Sequence, residues 1–201
     1  MMFDIITIFL VGILLLFAVY TAIQLRGKFP KRTIEDVTPF LRPAEQDELE
    51  SLLDPAQETN FRMRMPPQEF AEWQRRRIHL LREYLLRMSH NALVLIEWGN
   101  METAETGNDA EAFRQRQLMA KELVQAATEF RLYSVLALAK LKLWLVLPAP
   151  FSLLLPSPSL PSMRRVFGID ALGSYHRLKT AASGLSMAHG IHFRDALLER
   201  L

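Results

Sequence analysis

Residues Ile5 to Leu25 (IITIFLVGILLLFAVYTAIQL) carry no charged side chain over 21 positions. As a helix this stretch is about 31 Å long, which matches a hydrocarbon core of roughly 30 Å. A lone segment in lipid must satisfy its own backbone hydrogen bonds, so helix is the form open to it. A core helix of a globular domain rarely stays apolar around its whole circumference for so many turns. A cleaved signal peptide carries a positive n-region and an apolar run of about 7–15 residues before a small-residue cleavage site. Here Asp4 is the sole charged side chain ahead of the run, and the run is longer. The expectation is an uncleaved transmembrane anchor over residues 1–25.

Arg26, Lys28, Lys31 and Arg32 follow the anchor, with no basic side chain before it. Basic flanks are retained in the cytoplasm, so the N-terminus is expected outside and the rest inside a cell (inner) membrane, as a single-pass protein. The same four cations sit at headgroup level, where anionic lipid attracts each by about 1 kcal/mol. They are read as topology and lipid-headgroup cations.

The chain as a whole is 50% hydrophobic and 23% charged, which excludes both a polytopic membrane protein and a disordered one. With no cysteine there is no disulfide framework, zinc ribbon, iron–sulfur cluster or thiol nucleophile. A net charge of +2 gives no argument for nucleic acid as a partner.

Residues 26–66 read as a basic juxtamembrane segment and an acidic, proline-punctuated connector. From Glu35 to Glu58 the connector holds eight acids, and only Arg42, Arg62 and Arg64 oppose them up to residue 65. One short helix over Pro43–Leu53 is expected, closed by Asp54-Pro55, with its carboxylates on a solvated surface. Residues 67–201 read as a helical bundle. The first long helix, about 67 to 98, draws one stripe from Phe70, Trp73, Arg77, Leu80, Tyr84, Met88, Ala92 and Leu95, widened by Leu81, Leu85 and Ile96. Gly99-Asn100 reads as its C-cap. Asn108 and Glu111 form a capping-box pattern for a second helix reaching Leu147, antiparallel to the first. A final helix is expected from about Ile169 to Leu198, where Ala181, Gly184 and Ala188 share a face suited to close helix approach. The fold class is therefore all-α: a single N-terminal transmembrane helix plus a cytoplasmic three-helix bundle with a short accessory helix.

Leu143 to Met163 (LWLVLPAPFSLLLPSPSLPSM) is a second uncharged stretch of 21 residues. Five prolines break it, and irregular backbone facing lipid leaves polar groups unpaired, so a second span is not expected. Two readings stand for this loop 143–163. In one, Trp144, Phe151, Leu153, Leu154 and Leu155 contact the membrane interface, with Lys140, Lys142, Arg164 and Arg165 on headgroups. In the other, the loop packs on the bundle or a partner. The antiparallel hairpin, placing Leu147 beside Pro67, slightly favours the membrane.

Phosphate-binding, nucleotide-binding, serine-hydrolase and zincin motifs are all missing from the sequence. His79, Glu83, His90 and Glu97 fall near one face of one helix, the most metal-like pattern present, yet read better as structural polar groups. His189 and His192 lie one turn apart without a third ligand. Ser89-His90-Asn91 beside a dense apolar run reads as a buried network that fixes register. No cofactor and no metal are expected, and an enzyme is disfavoured. The sequence points to a membrane-anchored helical interaction or scaffold protein, as an accessory subunit of a bacterial membrane complex, with a protein partner or homo-oligomer. The alternatives are a membrane-bound enzyme or metal/haem carrier using the His79/Glu83/His90/Glu97 face, and a lipid-binding module using loop 143–163.

Overall fold

Prolines and acidic caps set where helices begin in this chain. Asp54 accepts a hydrogen bond from Ala56 N at 2.9 Å, with Pro55 in the first turn. Asp170 accepts one from Gly173 N at 3.0 Å. Both satisfy donors that a helix N-terminus leaves orphaned. The computed structural model describes residues 34–104, 110–146, 159–166 and 168–201. The expected anchor Ile5–Leu25, the cations Arg26, Lys28, Lys31 and Arg32, and the cap at Asn108 lie outside the described residues, as do Phe151, Leu153, Leu154 and Leu155.

The protein is predominantly helical. In chain order the helices are α1 (Val37–Phe40), α2 (Gln46–Leu52), α3 (Pro55–Arg64), α4 (Pro67–Ala104), α5 (Ala110–Val146), α6 (Ala171–Met187) and α7 (Ile191–Arg200). A 3₁₀ turn at Leu160–Met163 leads into a two-stranded antiparallel hairpin, β1 (Arg165–Val166) and β2 (Ile169–Asp170). Two-residue strands are too short to leave an alternating pattern in the sequence. Among the described residues no helix is long and apolar enough to cross a membrane.

Three expectations at glycine are corrected. The helix α4 does not stop at Gly99 but runs through it to Ala104. A Cβ at Gly99 would meet Val124 Cγ2 at 2.7 Å and the Ala120 carbonyl at 3.2 Å. The missing side chain therefore lets α5 close onto α4, a packing role and not a capping one. Gly184, expected to serve close approach, has open space around its Cβ position. The final helix is not continuous either. It breaks into α6 and α7 around Gly190, whose φ of +105° suits glycine and few other residues.

The helices α4 and α5 are antiparallel, with Gln117 Nε2 donating to the Thr103 carbonyl at 3.3 Å near their joined ends. The helix α6 packs on the other side of α5, its Arg177 paired with Glu129. Both α4 and α6 make their main contacts with α5, so three helices do not complete the core. The third side is filled by the connector, whose α2 packs on α4 and on α6. Val37, Leu41, Ala44, Leu49 and Leu53 are all buried. The connector is thus part of the bundle; most of its acids face outward, except buried Glu58, while these five apolar residues point in and Phe40 and Met63 stay exposed. Burying a leucine contributes roughly 1.5–3 kcal/mol, ample to hold such a segment down. Most of the predicted stripe on α4 is buried (Arg77, Leu81, Leu85, Met88, Ala92, Leu95 and Ile96), with Ile78 added to it, while Leu80 is 49% exposed.

Polar side chains fasten the connector at fixed points. Asn91, fully buried, donates from Nδ2 to the Arg42 carbonyl at 2.7 Å and accepts from Arg42 N at 2.8 Å. The Phe40 carbonyl lies 3.1 Å from His90 Nε2, and since a carbonyl only accepts, that nitrogen carries the proton. Arg77 donates to the carbonyls of Ser51 and Leu52, at the last turn of α2, and lies 4.5 Å over the Trp73 ring. The Tyr175 hydroxyl donates to the Ala44 carbonyl at 3.2 Å and to Leu201 O. The Tyr133 hydroxyl donates to the Met163 carbonyl at 2.8 Å.

Two expected outcomes follow. Asn91→Leu strands both backbone groups of Arg42 and lowers unfolding stability by about 2–4 kcal/mol. Urea titration reads this as a lower midpoint at unchanged slope. Burial pushes the hydroxyls of Tyr133 and Tyr175 well above the usual phenol range, with the Asp170 charge adding to it at Tyr133. The native state then keeps protons that the unfolded chain releases. Their contribution is complete below a pH of about 10 and declines as pH rises past it. Denaturant midpoints should fall between about pH 9 and 11, and less steeply in Tyr133→Phe and Tyr175→Phe than in the native chain.

Candidate functional site

The candidate surfaces are helix ends. At the C-terminal end of α5, Lys140, Lys142, Leu143, Trp144 and Leu145 fall within two turns. Leu143 is 49% and Leu145 43% exposed, Trp144 is half-buried, and Lys142 is exposed. Lys140 Nζ sits 5.1 Å over the Trp144 ring and reaches the Ser162 carbonyl at 3.4 Å. Burial holds its ammonium below the ordinary lysine range. Lys140 thus steadies the indole while Lys142 faces solvent. Lys140 and Lys142 both precede the last turn of α5, where the negative end of the helix attracts cations most, so that attraction explains neither them nor the exposed Leu143 and Leu145.

The other end of loop 143–163 behaves differently. Leu160 and Met163 are fully buried. Glu58, itself buried, accepts from Leu160 N at 3.1 Å and lies 3.6 Å from the Arg62 guanidinium. Residues 159–163 therefore pack on the bundle, against α3 and α5, while at the α5 end Leu143 and Leu145 are exposed, with no cover among the described residues. Of the membrane-contact candidates, Trp144 lies among the described residues.

The chain enters the described fold away from this tip. Phe40 and Arg42 meet α4 at His90 and Asn91, 24 residues beyond Pro67 or about 36 Å along the helix. The connector then doubles back through α2 and α3 to Pro67. The hairpin argument, in which Pro67 marked the point of entry, is corrected by this reversal.

The His79/Glu83/His90/Glu97 face does not converge. His79 and Glu83 are exposed, Glu83 lying 3.9 Å from Arg87 one turn on. His90 is engaged with Phe40, and Glu97 is buried, its charge opposing the desolvation of buried Arg131. Among the described residues no group of three or more His, Asp or Glu is placed to hold a metal.

A polar cluster that the sequence did not announce lies at the α4–α7 corner. Glu102 is 5% exposed, and its Oε1 accepts from the Trp98 indole N–H at 2.8 Å. His189 Nε2 lies 2.9 Å from the same oxygen, at ion-pair distance but without hydrogen-bond alignment. The Trp98 ring packs on Phe193 at 5.5 Å and on His189 at 5.9 Å. Glu102 and His189 are 87 positions apart, and the packing of α4 and α6 on α5 brings them to one level. The cluster pins α7 to the end of α4. Nearby, Met187 Sδ is 3.3 Å from an Arg194 guanidinium nitrogen, and Ile191, at the start of α7, is 61% exposed. Leu118 is 66% exposed on α5. The Arg177–Glu129 pair sets the α5–α6 register that brings Leu118 level with Met187.

Two open depressions of about 400 Å³ share Arg164. Asp47, Glu50 and Asp54 line one, and Arg165 and Asp170 the other. Arg164 is 3.8 Å from Asp170, so its charge is partly answered within the fold. Their walls mix these charged groups with Leu53, Pro55 and Leu172 in the first and Pro161 in the second.

Replacing Glu102 separates its two duties. Glu102→Gln keeps an acceptor for the indole N–H, whereas Glu102→Leu strands that donor beside His189. Thermal and urea unfolding should show Glu102→Leu costing about 2–3 kcal/mol and Glu102→Gln roughly 1 kcal/mol less. Comparison with protein-family models, with curated proteins and with solved structures finds no match, so function is inferred from the chain's own surfaces.

Proposed function

We propose that this chain is a single-pass, membrane-anchored helical interaction protein that presents its bundle on the cytoplasmic side of a cell membrane. The observation that carries the reading is the uncharged stretch Ile5–Leu25 followed by Arg26, Lys28, Lys31 and Arg32. Such a segment supports an anchor and its direction together. The exposed apolar residues Leu118, Met187 and Ile191 at one level of the bundle support a role in protein association. In this reading the anchor and the bundle form a scaffold subunit, and the bound protein is a partner subunit or a second copy.

The absence of native cysteine makes topology directly measurable. Single-cysteine chains carrying Phe3→Cys or Leu80→Cys are expressed in intact cells and exposed to a membrane-impermeant maleimide. The expected result is labelling at position 3 and protection at position 80, with the protein resisting alkaline extraction from membranes. Release by alkali, or labelling at position 80 in intact cells, refutes the anchored topology.

Association has a separate readout. In mild detergent the full chain should elute as an assembly larger than one copy. Leu118→Glu combined with Ile191→Glu should return it to a single copy while helical circular dichroism is preserved. A native chain that already elutes as one copy rules out the association surface.

A further inference from the structure

We infer that the C-terminal end of α5 is a second membrane contact, an interfacial docking surface for anionic lipid in which Leu143, Trp144 and Leu145 enter the headgroup boundary and Lys142, Arg75 and Arg76 meet the phosphates. This rests on the membrane-anchored reading and adds a specific lipid-binding face to the bundle itself.

Three observations converge on this surface. The first is its apolar content: two leucines, each near half exposed, flank a half-buried tryptophan at a helix end. Tryptophan beside aliphatic residues, with cations at the rim, is the composition that settles at a membrane–water interface.

The second is charge. The α4–α5 register, fixed by Gln117 with Thr103 and by Gly99 against Ala120 and Val124, brings the end of α5 level with the second and third turns of α4. Arg75 and Arg76 are exposed there. Lys140, Lys142, Arg75 and Arg76 thus stand against Glu69 and Glu72, and Glu69 lies in the first turn of α4, where it answers the helix dipole. The surplus is cationic. A second copy docking here tip to tip would bring like charges together, whereas an anionic bilayer attracts each cation.

The third is position. Leu143 begins the uncharged run that extends to Met163. Its far end is committed to protein through buried Leu160 and Met163 and the bond from Leu160 N to Glu58. At its near end Leu143 and Leu145 are exposed, with no cover among the described residues, and Lys140 braces the indole from the protein side. The two readings of the run therefore apply to its two ends: protein packing at residues 160–163, lipid contact at residues 143–145.

The test uses the full chain, with Leu145→Cys as its one cysteine, carrying a polarity-sensitive dye. It is reconstituted into phosphatidylcholine vesicles with and without phosphatidylglycerol, and into the same vesicles made with brominated acyl chains. The expected result is blue-shifted emission, quenched by brominated lipid, only where phosphatidylglycerol is present. Molar salt should reverse both changes, because exposed charge attraction is screened. Lys142→Glu with Arg75→Glu and Arg76→Glu should abolish the quenching, with at least a tenfold loss of the lipid-contacting fraction. Salt reversal keeps the test decisive even if that triple variant folds poorly. Emission that is the same in both lipids overturns the inference. So does a blue shift that brominated lipid does not quench, which marks a protein cover, either a second copy or an acidic partner. Failure of the chain to float with vesicles counts against the anchor, whereas flotation with an unquenched dye counts against the docking surface alone.

Discussion

One buried amide holds this bundle closed. Asn91 pairs with both backbone groups of Arg42, as a neighbouring strand would, at a position with no solvent access. The pairing matters because α4 and α6 both lean on α5 and leave a side of the core open between them. Without a filler, that side would expose the inner faces of two helices. The connector fills it, and a connector four to ten residues per helix cannot hold itself in place by helix propensity. Its position has to come from outside: burial of Val37, Leu41, Leu49 and Leu53 holds it down, and Asn91 fixes where along α4 it sits. A single amide can do this because its donor and acceptor are both used, so burial leaves nothing unpaired.

The same logic repeats at other points of attachment. Arg77 caps the last carbonyls of α2, although burial pulls its guanidinium down from its usual range and the charges of Glu58 and Asp54 only partly offset that. Its stacking on Trp73 recovers some of the lost hydration. Tyr175 ties the Ala44 carbonyl and the C-terminal residue Leu201 to the same side of α6, joining two segments far apart in sequence. Glu58 ties α3 to the start of the Leu160 turn. Each fastener is a long or aromatic polar side chain projecting from a long helix onto the backbone of a short segment. The long helices are held by apolar packing, and the short ones add specified hydrogen bonds to theirs.

This division explains which parts of the fold were legible in the sequence. Apolar periodicity reveals helices long enough to repeat it, so α4, α5 and their antiparallel pairing could be read directly. The polarity at Ser89-His90-Asn91 could also be read as a buried network, but not its partner, because Arg42 lies 49 positions away and nothing in a periodic pattern encodes that distance. The connector was misread for a related reason. Its eight acids suggested solvation, while Val37, Leu41, Leu49 and Leu53, the residues that decide its position, are too sparse to register as a stripe. Gly99 illustrates an ambiguity of another kind. A glycine after an apolar run signals either a helix end or a close crossing, and only the presence of Val124 opposite it decides.

The Trp98–Glu102–His189 corner bears on why the last helix is broken. A continuous helix from residue 171 to 198 would carry Phe193 onward along the α6 axis, away from Trp98. The turn at Gly190 folds α7 back so that His189 and Phe193 both reach Trp98. The break costs at least one turn of helical hydrogen bonds, some of which are recovered by the turn bonds from Ala188, His189 and Gly190 N–H groups to preceding carbonyls. It also places α7 beside α1, where the chain enters the fold, and brings Leu201 to Tyr175. α1 and Leu201 are thereby fixed to the same half of the described bundle, and the tip of α5 lies toward its other end, beside the first turns of α4.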